Sequence, residues 1–108
     1  MTDKIVVFSA CGSAEEAQKL ARHLVETRVA ACVNVIPGVF SVFHWEGKVD
    51  EASEWMLIIK STRARLEQLK LELRKVHSYS VPEVVAVPIV DGSADYLDWM
   101  DREVGEAG

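Results

Sequence analysis

Cysteine and positive charge are both scarce in this chain, and each shortage closes off a class of protein. Two cysteines in 108 residues, Cys11 and Cys32, are too few for a disulfide framework. The strand order read below sets them at opposite ends of non-adjacent strands, so both are expected as free thiols. Only 12 basic residues stand against 17 acidic ones, a formal charge of -5. That balance argues against a phosphate backbone or an anionic membrane as the main partner. No apolar run approaches the ~20 residues that span a bilayer. The opening MTDKIVVFSACGS lacks the length and the small-residue cleavage site of a secretory signal, so a cytoplasmic location is expected. Phosphate loops of the G-x-x-x-x-G-K-[ST] or G-x-G-x-x-G kind are missing, as are C-x-x-C, H-E-x-x-H and G-x-S-x-G. With no nucleophile beside a base and no cofactor motif, an enzyme is not expected.

What is present is the material of one packed domain, 1–108, with 49% hydrophobic and 27% charged residues. Ile5 to Cys11 is an apolar, β-branched run that predicts a buried strand ending at Gly12. Ser13 and Glu16 match a capping box, and Ala17, Leu20, Ala21, Leu24 and Val25 line one helical face. Ala30 to Trp45 is strand-like, broken at Pro37 and Gly38 by an expected bulge. Polar residues from Glu46 to Ser53 predict a turn pivoting at Gly47, and Trp55 to Lys60 a returning strand. Ser61 or Thr62 is placed to cap a second helix, with Leu66, Leu69, Leu73 and Val76 inward and Glu67, Lys70, Glu72 and Lys75 in water. Val84 to Val90 predicts a last strand interrupted by Pro88. A short helix follows with Tyr96, Leu97, Met100 and Val104 on one side, and the tail beyond it is expected to fray.

The order β-α-β-β-α-β-α is the split pattern of a ferredoxin-like α+β fold, an antiparallel sheet of strand order 4-1-3-2 with helices on one face. Its second strand, about 16 residues at ~3.3 Å each, is much longer than its first of about 7, so the second and third strands overhang as a hairpin. The overhang carries Val39, Phe40, Val42, Phe43 and Trp45, and such a ribbon is marginal alone. Another copy of the chain is expected to cover it, and a closed head-to-tail ring is a natural form.

Several places concentrate chemistry. His77-Ser78-Tyr79-Ser80-Val81-Pro82-Glu83 gathers an imidazole, a phenol and a carboxylate in one loop, groups suited to a metal or to proton transfer. The alternative is that His77 closes the helix and interacts with its C-terminal dipole while Glu83 makes a local bond. Cys11 ends its strand where a thiolate would suit a thiophilic cation, or where a small buried hydrophobe would serve equally. Cys32 is expected in the core. Trp45-Glu46-Gly47-Lys48 is either a binding lip or an interface anchor with its turn. Lys60 is either solvated or pairs with Glu83 or an anionic ligand.

Ala30-Ala31-Cys32-Val33-Asn34, Pro37-Gly38-Val39, Ser41 to Lys48, Lys60, His77 to Glu83 and Tyr96-Leu97-Trp99 together resemble the CutA divalent-cation tolerance family. The W-E-G-K tip and the H-x-Y-x-x-P-E loop at this separation carry the resemblance, which runs nearly end to end. It implies a ferredoxin-like subunit with an extended hairpin, a homotrimer built like the PII signalling proteins, and a divalent metal ion, copper among the candidates. It implies metal ligands at His77 and Glu83, with Cys11 as a third only where the strand end lets it stand in for the family's cysteine, and pocket walls at Trp45, Lys60, Tyr79 and Tyr96. An alternative is a PII-like signalling module taking a small anionic metabolite between subunits. Phe43 stands where the family usually has tyrosine, Ser61 where it has threonine and Ser78 where it has proline. Ser9 falls where some members carry a metal-binding cysteine.

Overall fold

The computed structural model describes residues 2–105, so the tail expected to fray lies outside the described residues. Strand β1 (Lys4–Cys11) leads into helix α1 (Ala14–Glu26), followed by β2 (Cys32–Trp45), β3 (Lys48–Thr62), α2 (Leu66–Val76), β4 (Val85–Pro88) and α3 (Ala94–Glu103). The sheet runs β2-β3-β1-β4, which is the expected order, and every pairing is antiparallel.

Local chemistry explains where the elements start and stop. The Ser13 Oγ accepts the Glu16 N–H at 3.1 Å, satisfying one of the four free donors at the start of α1. The opening of α2 differs from expectation. Neither Ser61 nor Thr62 caps it: Ser61 is fully buried in β3 and donates to the Val29 carbonyl at 2.6 Å, while a single 3-10 turn at Arg63–Arg65 leads into the helix. β4 keeps only four residues and ends at Pro88, although the Ile89 N–H still reaches the Lys4 carbonyl at 2.9 Å.

The core lies between the sheet and the two longer helices. Val7, Leu57 and Ile59 from the strands meet Leu20, Leu24, Leu69 and Leu73, all fully buried. Each such side chain contributes about 1.5–3 kcal/mol relative to exposure. A smaller cluster of Ala31, Met100 and Val104 docks α3, and Lys4 pairs with Asp101 at 3.0 Å beside it. Val25, expected inward, is 40% exposed at the end of α1. Glu72, expected in water, is buried and holds His23 at 2.8 Å and Lys75 at 3.0 Å, tying α1 to α2.

The hairpin is longer than its polar stretch suggested. The turn is Glu46 and Gly47 alone, with φ of 51° and 80°, the signature of a type I′ turn that matches the twist of the strands. Residues Lys48 to Ser53 belong to β3, paired as far as Trp45↔Lys48. The ladder slips between Ile36 and Val39, the bulge expected at Pro37 and Gly38, where Gly38 takes a φ of 75°. Since β1 pairs with β3 only from Trp55 onward, seven residues of each hairpin strand run past the sheet.

Candidate functional site: a cavity under the hairpin

Cross-strand partners share a face, so Trp45↔Lys48, Phe43↔Asp50, Ser41↔Ala52 and Val39↔Glu54 line one side of the overhang. The loop after α2 faces that side and closes a cavity of about 710 Å³, whose walls include Phe43, Trp45, Asp50, Glu54, Tyr79 and Glu83.

His77 fixes the loop. Its N–H closes α2 on the Leu73 carbonyl at 2.9 Å. Its Nε2 lies 2.8 Å from the Ala10 carbonyl, which can only accept, so this nitrogen carries the proton. Nδ1 therefore presents its lone pair, and it accepts the Tyr79 N–H at 3.1 Å. The Glu16 carboxylate takes the next donor, the Ser78 N–H, at 2.6 Å. These bonds aim Tyr79 back at β3, where its hydroxyl donates to Glu54 Oε2 at 2.8 Å. Burial, reinforced by Glu54, pushes the Tyr79 phenol up to about 12, which keeps it a neutral donor.

The metal ligands expected from the sequence do not converge in one subunit. The His77 ring has both nitrogens committed and a fully buried side chain. The Cys11 thiol is fully buried, donates to the Ser13 carbonyl, and is pushed up by burial, which opposes a thiolate. Ser9 is equally sealed in the core, its hydroxyl without a partner among the described residues. Glu83 alone of the expected ligands reaches the cavity. Among the described residues no three His, Cys, Asp or Glu side chains are placed to share a metal ion. The described residues of a single subunit therefore do not by themselves form a metal site.

The expected pocket walls also separate. Trp45 and Tyr79 line the cavity. Lys60 lies six positions along β3 from Glu54, roughly 20 Å away, where its ammonium is bonded to the Asn34 amide oxygen and not to Glu83. Beside it Cys32, half-exposed and not in the core, faces Lys60 across the ladder. Tyr96, stacked at 5.4 Å on Trp99, has its phenol raised by burial and by Cys32. Asp50 was missed by reading Glu46 to Ser53 as a turn, and Glu54 fell between that turn and the strand expected from Trp55; read with a period of two, Lys48, Asp50, Ala52 and Glu54 fall on the face of Trp45.

Residues 5–103 match the family model described as CutA1 divalent ion tolerance protein. The chain belongs to the CutA1 divalent ion tolerance protein family. Within it, the chain is 43% identical over 100 residues to the divalent-cation tolerance protein CutA of Thermus thermophilus, covering 93% of this chain and 97% of that protein. It is 47% identical over 96 residues to the chloroplastic CutA protein of Arabidopsis thaliana, covering 89% of this chain but only 53% of that protein. The solved Thermus thermophilus structure superposes with a TM-score of 0.92 at 42% identity, over 94% of this chain and 99% of that one. The CutA1 family thus extends over both the sheet and the cavity-forming hairpin and loop. No helix among the described residues is long and apolar enough to cross a membrane.

Proposed function

We propose that the chain works as a cytoplasmic homotrimer that binds a divalent cation, copper among the candidates, and contributes to metal tolerance, its site being completed where subunits meet. The observation that carries this reading is the overhanging hairpin. Phe40, Val42, Trp45 and Val49 are 64%, 58%, 47% and 66% exposed there, an apolar ribbon that needs a second copy to cover it. The names of the relatives supply the cation. Because the donors of one subunit do not converge, Glu83, exposed at the cavity mouth, needs ligands from a neighbour. Assembly is then a condition for binding. Trp45→Glu should break both: light scattering should find monomer and equilibrium dialysis should find copper binding lost. A monomer that still binds copper, or a trimer of native affinity, would refute the link. Wild-type trimer that binds no divalent ion would end the cation reading.

A second reading is favoured by Lys60, whose ammonium has no acidic partner among the described residues and bonds only to Asn34. It is a PII-like module whose Lys60 and Tyr96 end, brought near a neighbour's Tyr79, takes a small anionic metabolite. A nucleotide or carboxylate that raises the melting temperature of the wild type but not of Lys60→Met would support it. A flat thermal-shift screen counts against it.

A further inference from the structure

The outer surface of α2 carries cations that the helix itself gives no reason to keep. Between Arg63 and Lys75 five basic residues stand against two acidic ones, in a chain whose net charge is -5. Lys70, Leu71 and Arg74 lie on the side of α2 opposite its buried Leu69 and Leu73, and Leu71 is 57% exposed there. Arg63 and Arg65 stand at the N-terminal end, where the helix dipole disfavours cations, and no side chain caps that end. Among the described residues Arg63, Arg65 and Arg74 have no acidic partner.

Helix α3 presents the reverse. Between Asp91 and Arg102 four acidic residues stand against one basic. Asp101 is paired with Lys4, but Asp91, Asp95 and Asp98 are exposed with no cation paired to them among the described residues. Val90, next to Asp91, is 69% exposed. The two helices also sit on opposite faces of the sheet. α2 packs on the face of Val7, Leu57 and Ile59, whereas Tyr96 of α3 lies beside Cys32, which shares the other face with Lys60. The basic and acidic surfaces of one subunit therefore point away from each other and can meet only between copies.

We propose that the basic strip of α2 on one copy docks on the acidic strip of α3 on another, head to tail, with Arg74 facing Asp95 and Asp98. This is an ionic contact separate from the one made through the hairpin, and it holds whatever the cavity binds. Exposed ion pairs contribute little one by one, so the contact is weak and sensitive to salt. Joining two different surfaces, it does not close as a twofold does, and particles grow with concentration.

Light scattering on the full chain tests this. In about 0.01 M salt, where charges are felt over ~30 Å, the mean mass should be at least about twice that in about 1 M salt, where they reach only ~3 Å. Arg74→Glu and Asp98→Lys should each lose that gain. An equimolar mixture of the two variants should regain it, because each supplies the surface that the other lacks. Asp98→Lys carries the most weight, since it lowers the net negative charge and repulsion between whole molecules alone would make it associate more than wild type. A mass independent of salt, an Asp98→Lys variant that associates as well as wild type, or a mixture no larger than its components would overturn the proposal. The mass that remains in about 1 M salt reports the hairpin contact alone, so these outcomes leave the trimer reading to its own test.

Discussion

Strand β3 passes through two environments within fifteen residues. From Trp55 to Thr62 it is flanked by β1 and β2 and roofed by helices, and Leu57, Ile59 and Ser61 are completely buried. From Lys48 to Ser53 it has β2 alone, and none of its side chains is buried. The ladder with β2 runs through both halves, but only the covered half is also paired with β1. Burial follows the same division: one half is stabilised by its own chain, and the other is held by a single ladder and a turn until something covers it.

That contrast can be broken most forcefully in the covered half. Leu57→Ala should lower the unfolding free energy by about 2–5 kcal/mol in denaturant titration, because the packed site cannot collapse around the missing atoms. A loss no larger than that of Val49→Ala, at the exposed end, would mean the two halves are not differently supported.

A smaller effect sharpens the role of the helical roof. The Glu72 carboxyl is held below the usual carboxylate range, first by Lys75 and then by His23. Its folded form binds a proton less readily than the unfolded chain, so its contribution is complete above the unfolded value of about 4.3 and is lost as pH falls through the lower folded value. The stability gap between wild type and Glu72→Gln should therefore be wide at pH 7 and narrow in acid. A gap independent of pH would leave the ion pairs without a stabilising role.

The smallest change belongs to the overhang. Glu46 holds a left-handed backbone at the first turn position, where asparagine is preferred. Glu46→Asn should raise stability by about 0.5–1 kcal/mol, read as a higher thermal midpoint. No gain would show that the tip conformation is imposed by its surroundings and not by the turn.

The same contrast explains what was legible in the sequence. Where a segment has one buried face, periodicity reports it: the run from Ile5 to Cys11, the Leu20 and Leu24 stripe and the Leu69 and Leu73 stripe all lie where their spacing placed them. The strand order followed from those elements and the hairpin between them. On the overhang, where neither side is covered by the chain itself, polarity carries no strand signal, and Lys48 to Ser53 passed for a turn. Asp50 was lost with it. Glu72 misled for a related reason, since charge predicts exposure only when no partner waits inside, and His23 does. His77 and Tyr79 were legible as important residues, but not in their roles. Which nitrogen donates to which carbonyl depends on Ala10, 67 positions away.

The bulge at Pro37 and Gly38 has a further consequence. By inserting one residue into β2, it reverses the odd-even count of the strand. Without it, the side chains facing the loop would be Phe40, Val42 and His44; with it, they are Ser41, Phe43 and Trp45. The bulge thus reconciles the pairing of Ile36 with Met56 in the sheet and of Trp45 with Lys48 at the tip, and deleting one of its two residues would give an unbroken ladder that keeps Ser41, Phe43 and Trp45 on the same wall.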